Sequence, residues 1–345
     1  MPTIFDLVTA KNTKDYIENS DQKVYLGASL FPNDKQLGLE LSYLKGRHGA
    51  PVVLKAAAFD ANAPVRPRIG VQKIETEMPF FREQMNVKEK ERQQVNTLLA
   101  GGQTQLAEAV LKHVYDDQKA LVDGANATAE RMRMQLLTTG KISIDSGAEG
   151  AQYDYDYEFD PSQFEVLTGT DVWSDPNSTP VQDIMRWMQA VKLANGARAI
   201  VNSATFAHLA AHESIRKDLN PLGATSIILT NDDVKNYLQR KLKLSVAIYD
   251  ETFIDETGVE QKFVPDGVFT LIPPTGTLGN TVYGTTPEES DLMTGATKAN
   301  VEIVNTGVAI TTVKQEHPVN VQTIVSEIVL PSFPVADKVF IATVL

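Results

Sequence analysis

The sequence predicts an α+β protein organised around one very long helix, with a sheet laid along it and an α/β unit inserted later in the chain. Three observations lead there. From about Gln103 to Thr139 the apolar residues fall on a single helical stripe. At Ser178 the pattern changes to short helices alternating with buried strands. From Ala309 to Leu345 the chain is rich in Val and Ile and reads as strands returning to the first sheet.

The elements follow in order. Leu7 to Ile17 can form a short helix, and Leu37–Leu41 alternates like a strand. Gly46 to Gly70 is punctuated by Gly and Pro around the strand candidate Pro51–Leu54, as in a long β-hairpin or extended loop. Val71 to Phe81 alternates like a strand, a helical period starts at Val87, and Gly101–Gly102 interrupts it. The long stripe then runs through Leu106, Val110, Val114, Leu121, Ala125, Met132 and Leu136. Such a helix would be roughly 50 Å long, where the mean helix has about 11–12 residues. Asp116, Asp117, Lys119, Asp123, Glu130, Arg131 and Arg133 along it exclude a membrane span, and no strict heptad persists. Gly140 is placed to end it, and Lys141–Asp145 reads as a strand. Tyr153 to Asp160 alternates aromatics with acids.

The α/β unit begins with Ser178 or Thr179 capping a helix that has Pro180 first and Val181, Ile184, Trp187, Met188 and Val191 inward. Ala197–Val201 is a buried strand, Ser203 a cap for a second helix, and Thr230 or Asn231 a cap for a third. Leu244–Tyr249, a hairpin from Thr252 to Phe263, and Val268–Ile272 complete a unit of roughly 120–130 residues, the size of an independent domain.

Chemistry is sparse. The 345 residues carry a net charge of −12 and 0 Cys, which removes disulfides and thiolate metal sites and argues against direct nucleic-acid binding. No secretory leader pattern opens the sequence, so synthesis in the cytoplasm is expected. Of the 5 His, only His208 and His212 have metal-ligand spacing. Glu213 follows the second rather than the first, and no third ligand is evident, so two histidines on the polar side of a helix are the expected case. No phosphate loop or nucleophile elbow occurs. No catalytic residue, cofactor or metal is expected. Charge is nevertheless uneven. Lys45, Arg47, Lys55, Arg66 and Arg68 face the single acid Asp60 between Leu44 and Gln72, which fits either a contact with an acidic partner or an ordinary solvated hairpin.

The order of these parts resembles the tailed-phage capsid fold, the Hong-Kong-ninety-seven type. Val246–Tyr249, Val259–Asp266, Asn280–Gly284, Asp183–Ile184 and the run from Leu330–Pro331 to Val344–Leu345 are similar to the lambda-type major capsid protein E family. The similarity is good from about Pro180 onward and architectural before Asp160. It implies an N-arm (1–43), an extended E-loop (44–82), a P domain with the spine helix and an antiparallel sheet (83–177), an inserted α/β A domain (178–308) and a return to the P domain (309–345). It also implies hexamers and pentamers in an icosahedral head enclosing the genome, with decoration, scaffold and portal proteins as possible partners and the virion as location. DNA would be enclosed without sequence-specific binding, and no membrane takes part. Lys55 and Lys73 carry no mark of the covalent crosslinking some relatives use. In this setting Lys55, Arg66 and Arg68 would lie across Asp154, Asp156 and Glu158 of a neighbouring subunit. The alternatives are an encapsulin-like nanocompartment, or an α/β enzyme or carbohydrate-binding protein with a polar pocket.

Overall fold

One helix, Thr104–Thr139, takes up 36 residues, about 54 Å at 1.5 Å per residue. The structure, a computed structural model, describes residues 4–46, 71–145, 152–193, 195–221, 228–295, 299–316 and 319–345. The strand candidate Pro51–Leu54, the basic residues Lys55, Arg66 and Arg68, and the turn at Gly147–Gly150 lie outside the described residues.

The long helix confirms the stripe but shifts its origin. Leu106 is 57% exposed, whereas Ala107, Leu111, Val114, Gln118, Leu121, Ala125, Ala129, Met132 and Leu136 are buried at steps of three or four. The inward row therefore passes through small and polar residues that a hydrophobic pattern skips. Gln118 shows how one of them is accommodated: its Oε1 accepts from Thr13 Oγ1 at 2.6 Å, and its Nε2 donates to Thr323 Oγ1 at 2.6 Å. Gly140 ends the helix with φ +74°, in the left-handed region glycine adopts most easily.

Contacts divide the chain into two compact units. The first comprises Met1–Leu41, Thr76–Arg133 and Asn280–Ser332. Its sheet runs Asn33–Lys35, Thr281–Tyr283, Val319–Pro331, Val308–Glu316 and Asn300–Val304, and Phe80–Val87 also pairs with Val319–Pro331. All these pairings are antiparallel except Asn33–Lys35 with Thr281–Tyr283. The 13-residue strand Val319–Pro331 is the centre, since three others hydrogen-bond to it. The continuous strand expected from Val71 to Phe81 is two strands, Val71–Glu77 and Phe80–Val87. The break falls at Met78–Pro79, where proline removes a ladder donor. The strand expected at Leu37–Leu41 begins only at Glu40, because Gly38 turns with φ +97° and leaves Leu37 and Leu39 exposed. The helix Ala10–Glu18 is capped by Thr9, whose side chain accepts from Asn12 N.

The second unit comprises Ser42–Glu75, Met134–Gly279 and Phe333–Leu345. Its sheet runs Phe164–Val166, Phe340–Thr343, Val268–Ile272, Ala197–Val201 and Leu244–Ile248. Helices Pro180–Ala190, Ser203–Ala211, Glu213–Leu219 and Asn231–Leu242 supply the rest of its core around Trp173, Trp187, Phe206 and Phe269. Trp187 stacks on Phe340 with ring centroids 5.5 Å apart, and Trp173 meets Phe269 edge-on at 5.0 Å. Here one expectation fails. Phe340–Thr343 does not return to the first sheet but pairs antiparallel with Val268–Leu271 in the second. Phe340, Ile341 and Ala342 are all buried, so this strand is covered on both faces, and the aromatic core covers the face that carries Phe340 and Ala342.

Caps follow the sequence with two corrections, the first being that Thr179 precedes Pro180–Ala190 without a side-chain cap hydrogen bond. Thr230 and Asp233 form a reciprocal capping box before Asn231–Leu242. Before Ser203–Ala211 the cap is Asn202, not Ser203. Asn202 is fully buried, its Oδ1 accepts from Thr205 N at 2.8 Å, and its Nδ2 donates to Val264 O at 3.1 Å and to Asp266. Asn202→Ala removes the cap and leaves the Val264 carbonyl without its donor, so it should cost about 2 kcal/mol. Urea unfolding followed by tryptophan fluorescence measures this, since Trp173 and Trp187 sit in the same core.

Candidate assembly surface and buried charge cluster

The sequence-derived acidic residues sit on a hairpin. Lys141–Asp145 pairs antiparallel with Gln152–Asp156, setting Lys141 opposite Asp156 and Ser143 opposite Asp154. Strand alternation leaves Asp154 and Asp156 exposed and Tyr153 and Tyr155 half-buried on the other face, their rings stacked at 6.3 Å. The expected strand from Tyr153 to Asp160 stops at Asp156. Tyr157 is buried, and Glu158 takes φ +49°, with its N–H donating to Asp156 Oδ1 at 2.9 Å. The three carboxylates Asp154, Asp156 and Glu158 thus stay on one exposed stretch. They are partly engaged within the chain. Ser143 Oγ donates to Asp154 at 2.6 Å, and Lys141 pairs with Asp156 at 2.7 Å with both side chains more than half exposed. An exposed pair of that kind adds little stability and can be exchanged for another partner.

His208 and His212 do not share a helix. Ser203–Ala211 ends before His212, which is buried and caps Glu213–Leu219 by accepting from Ser214 N. Its Nε2 lies 3.0 Å from Ser178 Oγ and its Nδ1 2.7 Å from Ser214 Oγ. Burial holds its pKa below the usual histidine value. Placing it on a polar helix face was wrong, because the chain turns at this residue and carries it into the core. Among the described residues no group of three or more His, Cys, Asp or Glu side chains is placed to hold a metal ion. No described helix is long and apolar enough to cross a membrane.

The first unit contains a polar cluster that sequence reasoning missed. Glu130, Arg133 and Glu327 are 0%, 3% and 1% exposed. Arg133 donates from Nε to Thr281 Oγ1 at 2.7 Å, from one terminal nitrogen to Glu130 at 3.2 Å, and from the other to Asn33 Oδ1 at 2.9 Å. Glu130 also accepts the Gly27 N–H at 2.9 Å, and Thr281 Oγ1 donates to Phe31 O at 2.9 Å. One guanidinium therefore ties the 27–33 segment, the helix and the Thr281–Tyr283 strand together. Glu327 projects from the central strand, and neither of its carboxyl oxygens has a hydrogen-bond partner among the described residues. Burial pushes its pKa up to about 8, and Arg133 offsets this only partly. Burial and the neighbouring Glu327 likewise hold the Tyr283 hydroxyl well above its usual value. The available signal was Glu327 itself, a lone carboxylate in the apolar run Ile324–Leu330.

The architecture defines a class first. An α+β chain with a long helix, a sheet centred on one long C-terminal strand and a separate α/β sheet has the tailed-phage capsid fold. Two solved structures share it at low sequence identity. A candidate capsid protein of an E. coli CFT073 prophage superposes with TM-score 0.63 at 14% identity, covering 98% of this chain and 99% of its own. A phage-related protein of Bordetella bronchiseptica RB50 gives TM-score 0.54 at 11% identity, covering 97% and 96%. No curated protein sequence matches. The family is shown by sequence: residues 12–344 match the Phage major capsid protein E family, and the chain belongs to it. It is a structural subunit of a phage head, and its place is the virion capsid.

The cluster also constrains Gly27. A Cβ there would lie 2.4 Å from Glu130 Oε2 and 2.8 Å from Arg133 Cδ, both held by hydrogen bonds. Gly27→Ala would ordinarily gain about 1 kcal/mol of helix propensity. The clash reverses the sign, with overpacking of a fixed site costing about 1–3 kcal/mol. A lowered urea midpoint for the variant is the expected result.

Proposed function

We propose that the chain self-assembles into hexamers and pentamers that close an icosahedral phage head around the packaged genome, acting as a structural subunit without catalysis. The observation that carries this reading is the family match, which runs from residue 12 to residue 344. In this reading residues 1–43 act as the N-arm, 44–82 as the E-loop, 83–177 as the P domain, 178–308 as the A domain and 309–345 as the return. These functional parts do not coincide with the compact units, since 280–308 cluster with the first unit and 333–345 with the second. Subunits of a permanent shell share obligate interfaces, of about 2,000–5,000 Å² each. Scaffold, portal and decoration proteins are the further partners of such a head. The net charge of −12 favours enclosing DNA over binding it, because an acidic wall repels phosphate.

The contact we assign to assembly is electrostatic. Lys55, Arg66 and Arg68 of one subunit meet Asp154, Asp156 and Glu158 of the next. The exposure of the three acids and the exchangeable Lys141–Asp156 pair support it. Single exposed pairs contribute about 0–1 kcal/mol, so the effect comes from repetition around the shell. Arg66→Glu with Arg68→Glu should abolish closed shells in negative-stain electron microscopy while circular dichroism shows a folded subunit. Normal shells from the double variant would refute the contact. Failure of the wild type to form any shell, tube or ring, even with its scaffold, would refute the assembly reading itself.

A further inference from the structure

The buried cluster of the first unit holds two carboxyl groups and one guanidinium. Glu130 already pairs with Arg133, which also donates to Thr281 and Asn33. Glu327, 1% exposed on the central strand, has two oxygens without a hydrogen-bond partner among the described residues. The groups that face it are Arg133 from the long helix and the Tyr283 hydroxyl from the neighbouring strand. Its register partner on Phe80–Val87 is the apolar Phe81, and the adjacent Arg82 is committed to Glu288. On the opposite strand Ala309 lies across from Ser326, the residue before Glu327. An ionised carboxylate buried without a hydrogen bond is among the costliest arrangements in a protein, and the cheaper state is the neutral acid.

We propose that this cluster is a proton-binding site in which Glu327 is kept as the neutral acid, and that loss of its proton to solvent releases the Leu26–Lys35 segment. The release follows from competition. A second buried carboxylate draws Arg133 away from Glu130 and Asn33. Glu130 then keeps the Gly27 N–H without the guanidinium beside it, and Asn33 Oδ1 loses the Arg133 donor. Thr281, which hydrogen-bonds Phe31 O and receives Arg133 Nε, transmits the same change to the Phe31–Pro32 backbone.

The pH window follows from the raised pKa. Between the ordinary Glu value of 4.5 and about 8 the folded chain keeps the proton and the unfolded chain gives it up. The contribution of Glu327 to stability is therefore fully present below that window and is lost as pH rises through it, by at most about tenfold in the folding equilibrium per pH unit. Glu327→Gln preserves shape and neutrality and removes the titration.

Difference infrared spectroscopy of the full chain tests the site, with hydrogen exchange over residues 26–35 alongside. At about pH 7 the wild type should show a protonated-carboxyl band that E327Q lacks, and the band should vanish by about pH 9.5. Over the same range exchange protection of residues 26–35 should fall in the wild type relative to E327Q measured at equal pH. Absence of the band from the wild type at neutral pH, or equal protection in both proteins at high pH, would overturn the proposal. If E327Q does not fold, E327M serves as the neutral reference of similar length.

Discussion

Arg133 is the side chain that most of the first unit leans on. A guanidinium brought out of water must have its donors used, and here three separate segments use them: Glu130 one turn back on its own helix, Asn33 from the N-terminal stretch, and Thr281 from the sheet. The planar fork fixes their mutual distances in a way an apolar contact would not. Gly27 is small because Glu130 and Arg133 are close to its backbone. Thr281 is at once a strand residue, a donor to Phe31 O and an acceptor from the arginine. Replacing such a site by hydrocarbon can be neutral or favourable in energy, so what it contributes is a single arrangement of the segments that meet there.

The second unit is held in a different way. Its core is aromatic and continuous, with Trp173, Trp187, Phe269 and Phe340 linked by ring contacts, and Ser203–Ala211, Glu213–Leu219 and Asn231–Leu242 start at side-chain caps. Its polar pairs lie mostly at the rim, as with Lys141 and Asp156 or Arg186 and Glu165. The chain thus combines a unit specified by buried hydrogen bonds with one specified by packing. For a subunit of a phage head, whose task is to present repeated surfaces, chemistry of the enzymatic kind has no required place. The groups with displaced pKa values answer to burial and to neighbours within the fold.

The long helix, the α/β succession after Ser178, the hairpin expected from Thr252 to Phe263 (Thr252–Ile254 pairs antiparallel with Glu260–Lys262) and the caps at Gly140 and Thr230 were legible because they rest on local rules: a stripe at 3.6 residues, a proline at a helix start, a glycine in the left-handed region. Asp154 and Asp156 were legible as exposed acids for the same reason, since strand alternation sends them to one face, whereas Glu158 lies past the strand's end and is exposed through a left-handed turn. Lys141 was not seen as the counter-charge of Asp156, because that pairing depends on hairpin register. His212 was misplaced because a helix break at Ala211 reverses its environment within one residue.

The sequence by itself determined the element types, the class of fold and the shell role, because periodicity, turn residues and family-like segments are carried by neighbours along the chain. Tertiary structure alone decided which sheet receives Phe340–Thr343 and which polar residues go inside. Both depend on partners far away in sequence: Trp187 and Val268–Leu271 for the strand, Asn33 and Thr281 for Arg133. A Val- and Ile-rich strand fits either sheet until the covering side chains are known. A charged residue on a helix reads as solvated until something remote arrives to accept its hydrogen bonds.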